Sequence, residues 1–321
     1  MNLNLALKSD RLCKATTGMA IQEFKTLATQ FEWNYLEFKK EERKNREKQR
    51  IKKGLGKFKR QNVTGRPNGF KNAQEMLFAA LIYLKTYPTF DLMEVLLKVP
   101  RSTCHRNVPD FFKVLEKTLG RHLVLPKRRI GSIEEFLQAF PEIKEYPEIS
   151  IDGTERPVAR SKNSKTQNKR YSGKKKTHTK KHMIVTDKTK KIRILTKARN
   201  GRRHKKKITD KDGLYDFIPP EVITYQDTGL QGVQHKHKNS MISHKKKPKS
   251  KHNPSPPPLT QDQKEENQII SSIRVGVEHV IWFGLKRFNS MSHRFRNKSD
   301  ELADRMTLLT TGLWNYQLLL R

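Results

Sequence analysis

The stretch that most constrains this chain is Ile269 to Phe288, IISSIRVGVEHVIWFGLKRF. Ile270, Ile273, Val277, Val280, Ile281, Gly284 and Phe288 recur at steps of three and four, which lays them along one face of a helix. Arg274 and Glu278 stand against that face one turn apart, so their side chains are neighbours. Lys286 lies two turns further on, at the flank. A carboxylate held beside two cations, on a helix anchored by a wide apolar stripe, has a fixed position. A metal ligand or an acid/base group needs that. An amphipathic helix with an ordinary ion pair is the plainer account of the same residues.

The rest of the chain weighs between the two. Its 321 residues suffice for one large domain or two ordinary ones. Apolar residues make up only 34%, so long stretches are solvated or lie on a partner. Lys and Arg number 68 against 32 Asp and Glu, a formal net charge of +36. A surface that basic repels itself unless polyanions surround it, which makes nucleic acid the expected partner and an anionic membrane surface the weaker one. No apolar run reaches the length of a bilayer span, and MNLNLALKSD is too short and too polar for a secretory signal. Cys13 and Cys104 are far apart and no CxxC occurs, so neither a disulfide framework nor a zinc ribbon is indicated. The expectation is a soluble, intracellular nucleic-acid protein without membrane attachment.

The patterns divide the chain into 1–60, 61–145 and 146–321. Residues 1–38 read as helical, and Lys39 to Arg60 is a basic run that forms a solvated helix or a flexible arm, with Gly54 and Gly56 as breakers. Ala73 to Leu84, Phe90 to Leu97 and Ser102 to Leu119 follow as three helices, with Pro109 expected to disturb the first part of the last. That order suits a helix-turn-helix unit. The first turns of its last helix carry Arg101, Ser102, Thr103, His105 and Arg106, all able to donate hydrogen bonds to base edges or phosphates. Beyond a short helix near Ser132 to Phe140, strands are predicted at 147–152, 182–186, 192–196, 222–225 and 241–243, with Leu214 to Ile218 closing a helix. After the proline-rich 253–258, Thr260 with Gln263 makes a capping box for the helix described above, and Ser299 to Leu320 forms a last amphipathic helix.

The chemistry-bearing residues gather in this third part. Two predicted strands end in an aspartate followed closely by glycine, Asp152-Gly153 and Asp227-Thr228-Gly229. Each alone is an ordinary turn former. If the strands are neighbours, Asp152 and Asp227 approach each other and Glu278 reaches them from its helix. Crowded carboxylates in a basic protein call for a cation, and hard oxygen ligands suit Mg²⁺ or Mn²⁺. Two such ions make a clamp for in-line attack at a phosphate. Lys169-Arg170, Lys174, Lys175, Lys176, Arg202, Arg203 and Lys205 to Lys207, with Arg274 and Lys286 on the helix, would hold the DNA backbone across it. His178 and His182, four apart on one face of a strand, read as neutral DNA contacts rather than a metal pair.

The runs IDGTERPVAR, YSGKKKTHTKKH, YQDTGLQG and NQIISSIRVGVEHVIWFGLKRF together resemble the bacterial insertion-sequence transposases of the DDE class, the DDE superfamily endonuclease type related to Harbinger elements. TGRP…LIYLKTYPTF…VPRSTCHRNV resembles that group's helix-turn-helix domain. The resemblance implies an N-terminal all-α domain followed by an RNase H-like mixed-sheet catalytic domain. It implies the acidic triad on Asp152 in DGT, Asp227 in DTG and Glu278 in RxxxE. It further implies metal-dependent cleavage of double-stranded DNA at terminal inverted repeats, joining of 3′ ends to target DNA, a homo-oligomer on the DNA, and a cytoplasmic, nucleoid-associated location. The chain departs from the group at His204-Lys205, where many relatives have His-Asp, and at Leu230, where they have Tyr; neither position belongs to the expected ligand set. The alternatives are a sequence-specific DNA-binding regulator, with the helix-turn-helix doing all the work, a decayed transposase that binds but does not cut, and a basic structural or RNA-binding protein.

Overall fold

The computed structural model describes residues 3–55, 69–246 and 255–320. The TGRP run, residues 56–60 of the basic segment and Asn253-Pro254 lie outside the described residues. The chain divides into two units: Met1–Leu125 with Phe288–Ser290 and Tyr316–Arg321, and Pro126–Arg287 with Met291–Asn315.

The first unit is helical: α1 (Leu3–Ala6), α2 (Asp10–Thr17), α3 (Ile21–Lys52), α4 (Ala73–Thr86), α5 (Phe90–Leu97) and α6 (Arg101–Arg121). Local chemistry sets most of these boundaries. The Asn72 and Thr89 side chains accept the backbone N–H groups of Glu75 and Leu92, capping α4 and α5. Lys98, left-handed at φ 56°, ends α5, and Pro100 then leads into α6. The basic run continues α3 as a helix to Lys52. Phe24, Leu27, Ala28 and Phe31 of α3 are buried, as is α4 from Met76 to Leu84. Pro109 does not break α6, contrary to the expectation from sequence. Proline inside a helix costs about 3 kcal/mol. Burial of Val108, Phe111, Phe112, Leu115 and Leu119 on one face outweighs that cost.

The second unit opens with α7 (Ile133–Ala139), β1 (Glu148–Pro157), α8 (Ser164–Arg170), β2 (Tyr171–Ser172) and β3 (Thr177–Asp187). There follow β4 (Ile192–Leu195), β5 (Arg199–Asn200), α9 (Lys205–Asp212), β6 (Ile223–Gln226), β7 (Ser240–Ile242) and α10 (Gln261–His279). Last come α11 (Asn289–Ser292) and α12 (Asp300–Leu319). The sheet runs in the order β2-β3-β1-β6-β7, with β4 and β5 also paired to β3. β1 is antiparallel to β3 and parallel to β6, and β6 is parallel to β7. A mixed sheet behind an all-α region is the α+β arrangement expected from the sequence.

Three details differ from that expectation. β1 does not stop at Asp152: β3 supplies partners from Ile149↔Asp187 to Pro157↔Thr179, and this pairing carries the strand through Gly153. Asp152 is therefore a mid-strand residue. Leu214 to Ile218 closes no helix, because α9 already ends at Asp212 with Gly213 in the left-handed conformation as its cap. The long C-terminal helix is not uniform either: α10 gives way at Val280–Leu285 to a π-helical turn.

The core of this unit includes Ile149, Ile151, Met183, Val185, Ile194, Ile208, Val222 and Leu230. Alternation along β1 puts Asp152 on the face opposite Ile149 and Ile151. α10, with its Thr260–Gln263 capping box, packs against β1, β6 and β7.

Candidate active site

The parallel register of β1 and β6 ends at Ile151↔Gln226. The next residue along each chain segment is an aspartate, so Asp152, still within β1, and Asp227, just past the end of β6, lie side by side. Lys205, the first residue of α9, reaches into the space between them. Its Nζ donates to Asp152 Oδ1 at 2.5 Å and to Asp227 Oδ2 at 2.8 Å. Two glycines make room for its stem. A Cβ at Gly153 would lie 3.1 Å from Lys205 Cε, and one at Gly229 would lie 3.3 Å from Lys205 Cδ. The lysine side chain is 13% exposed.

Electrostatics fix the charge of this group. Burial opposes the charge on Lys205, but Asp152 and Asp227 outweigh it and hold the ammonium above its usual range. Burial likewise works to raise Asp227. The hydrogen bond and charge of Lys205 overcome it and hold the carboxyl well below the usual carboxylate range.

Glu278, near the end of α10, lines the same cleft, which has a volume of about 380 Å³. Its side chain is half exposed and paired with Arg274 Nη2 at 3.3 Å. Lys174, Lys175 and Lys286 complete the basic lining. A second cavity of about 330 Å³ shares Glu155, Lys174, Lys205 and Asp227 with the first and adds Lys181, Arg202, Arg203 and Lys245. The two cavities adjoin through these four residues, and Lys and Arg outnumber Asp and Glu in the lining of each. Lys176, in the turn before β3 at φ 51°, is not among their lining residues. Another cleft of about 380 Å³, lined in part by Ile149, Tyr225, Ile273 and Val277, is largely apolar and holds none of the three acids.

Glu155 and Trp282 also line the cleft that holds the acids. Burial works to raise Glu155, but hydrogen bonds from Thr179 and Ser172 and the charge of Lys181 hold its carboxyl below the usual range. Trp282, on the π-helical turn, is 59% exposed, with Lys286 Nζ 4.4 Å from its ring centroid. Burial and the nearby Lys175 lower the Lys286 ammonium.

The arrangement does not fit a divalent ion as it stands. An Mg²⁺ or Mn²⁺ ion between Asp152 and Asp227 would meet the Lys205 ammonium there. Among the described residues, no three His, Cys, Asp or Glu side chains converge on one ion position. The sequence marks Lys205 as a departure from the group and as one of the cations facing DNA, but not as the partner of both aspartates that it is here. The available signal was a basic residue replacing an acid at that position, together with the two small residues following the aspartates.

His182 requires a correction. It is buried, with Nδ1 2.9 Å from the Thr196 carbonyl, so it joins two segments of the unit and does not face DNA. His178 packs its ring edge-on to Tyr171 at 5.7 Å. In the helical unit, Arg101, Ser102, His105 and Arg106 are exposed on the first turns of α6, and Thr103 is partly exposed. Arg101 Nε lies 3.3 Å from Asp91, and the His105 ring sits edge-on to Phe90 at 5.2 Å.

Residues 151–315 match the family model described as DDE superfamily endonuclease. The chain is also similar to the probable transposase for insertion sequence element IS702 of Microchaete diplosiphon, at 35% identity over 174 residues. That match spans 54% of this chain and 58% of the relative. No solved structure matches. Among the described residues, no helix is long and apolar enough to cross a membrane.

Proposed function

The chain belongs to the DDE superfamily endonuclease family, and on that footing we propose that it is an insertion-sequence transposase, cleaving DNA at terminal inverted repeats and joining the 3′ ends to target DNA. The observation that carries this reading is one cleft lined by Asp152, Asp227 and Glu278 together with Lys174, Lys175, Arg274 and Lys286. Lys174, Lys175, Arg202, Arg203 and Lys286 attract the phosphate backbone toward the cleft, and Arg274 orients Glu278. The helix-turn-helix formed by α4 to α6 reads the element end through Arg101, Ser102, Thr103, His105 and Arg106. Lys176 adds backbone contact from its turn. Water attacks a phosphodiester at the element end and displaces the 3′ oxygen, and the freed 3′ hydroxyl then attacks a phosphate of the target in line, displacing a 3′ oxygen of the target strand. The chain acts as a homo-oligomer on double-stranded DNA, in the cytoplasm at the nucleoid.

Endonucleases of this family generally use divalent metal ions, and three carboxylates are the hard donors that favour Mg²⁺ or Mn²⁺, as a pair of ions. Lys205 stands against that occupancy in the present arrangement. It favours a second reading, a protein that binds element ends without cutting them.

One assay separates the two. Labelled duplexes carrying the inverted repeats that flank the reading frame are incubated with the chain and Mg²⁺ or Mn²⁺, and both binding and strand cleavage are followed. Under the first reading the wild type cuts, while Asp152→Asn, Asp227→Asn and Glu278→Gln abolish cutting and leave binding intact. A wild type that binds the ends and never cuts establishes the second.

A further inference from the structure

The Lys205 ammonium is placed as a bound cation would be placed. It lies within 2.8 Å of a carboxylate oxygen on each of two aspartates, and its stem runs past two residues that have no side chain. Three separate pieces of chain build this arrangement: β1, the residues after β6 and the first turn of α9. The charges are matched as well. Two carboxylates and one ammonium leave a single negative charge, in a cleft whose remaining charged lining is Lys174, Lys175, Arg274 and Lys286 against Glu155 and Glu278. A divalent ion added beside the ammonium would make the group net positive in a lining where four cations outnumber two acids, and it would need the space that Nζ fills. The lysine and the ion therefore exclude each other both sterically and electrostatically.

We infer that Lys205 is the resident cation of the Asp152–Asp227 pair and that it keeps divalent ions out, so that the chain carries a metal site closed by its own side chain. The inference rests on the reading of these aspartates as the acids of the strand-cleaving site. It deepens that reading by naming the residue that sets the site's affinity for its ion.

The test needs no DNA. Mn²⁺ is titrated into the full chain at fixed ionic strength, with free Mn²⁺ read by electron paramagnetic resonance and melting followed with and without the ion. Lys205→Met keeps the length of the side chain and removes its charge; Lys205→Gln is a second neutral variant. Both should bind Mn²⁺ at least tenfold more tightly than the wild type. The gain should vanish when Asp227→Asn is added. Without ion both variants should melt below the wild type and recover with Mn²⁺, whereas the wild type should not respond. Equal affinity in the wild type and both variants would overturn the inference. Tight binding that survives Asp227→Asn would also overturn it, because the ion would then sit elsewhere. If neither variant folds even with Mn²⁺, the lysine is a structural strut that no ion replaces, and the inference again fails. A chain that never cuts DNA leaves these binding results standing. A chain that cuts DNA while the variants show no gain in Mn²⁺ affinity sinks this inference alone.

Discussion

Gly153 lies so close to Lys205 that a methyl group added to the glycine would come within 3.1 Å of the lysine Cε, and within 3.3 Å of Met183 Sδ. The glycine leaves the room through which the lysine reaches both aspartates. Gly153→Ala should therefore be overpacked, costing about 1 kcal/mol of stability. With Lys205→Ala in the background the Cε is gone, and the cost should fall. Urea unfolding of the two single variants and the double variant measures this coupling. Strict additivity would show that the lysine stem does not run past Gly153.

His182 gives the second unit a pH-dependent stability. Burial lowers its pKa to about 4, although Asp304 and the Thr196 carbonyl act in the opposite direction. In the unfolded chain a histidine titrates near about 6.5. Between those values the unfolded state takes up a proton that the folded state refuses. Stability due to this group is thus complete above about pH 6.5 and falls on acidification to pH 4, by up to about 1.4 kcal/mol per pH unit. Because the Thr196 oxygen can only accept, Nδ1 carries the hydrogen, and His182→Asn retains a donor near the same place. Urea midpoints between pH 7 and 4.5 should decline less steeply in that variant than in the wild type. Parallel slopes would assign the acid sensitivity to other groups.

The π-helical turn presses Gly284 against Trp314: a Cβ on the glycine would lie 2.9 Å from Trp314 Cδ2. The indole cannot easily retreat, since its Nε1–H donates to the Lys190 carbonyl at 2.9 Å. Gly284→Ala should cost about 1–3 kcal/mol and change tryptophan fluorescence. Adding Trp314→Leu should restore part of the loss, as calorimetry of the three variants would reveal. An alanine variant as stable as the wild type would mean that the turn relaxes freely.

The two basic surfaces should behave differently on DNA. Arg101→Ala with His105→Ala and Arg106→Ala should weaken binding to element ends more than to random duplex, by about 1–3 kcal/mol for each lost base contact. Lys174→Ala with Lys175→Ala should weaken both equally and flatten the dependence on salt. Fluorescence anisotropy at several salt concentrations distinguishes them. Equal losses on both duplexes for the α6 variant would remove its base-reading role.

What the sequence determined by itself was mostly local. Thr260 announces a helix start because a cap is a contact among residues three apart. The apolar stripe of Ile270, Val277 and Val280 announces a packed helix because periodicity along the chain maps directly onto a face. The order of helices and then strands gave the α+β arrangement for the same reason. Tertiary structure alone decided three other matters. β1 continues through Gly153 because β3 offers partners on its far side, and a glycine's weak strand preference cannot compete with a full ladder. Pro109 stays within α6 because burial of that face outweighs one lost hydrogen bond. Lys205 lies 53 residues from Asp152 and 22 from Asp227, and no pattern along the chain encodes where its ammonium goes. Only the register of β1 on β6 brings the two carboxylates side by side, and only the start of α9 brings the lysine within reach of both. Attraction between charges depends on distance through space, which is set once the sheet has formed.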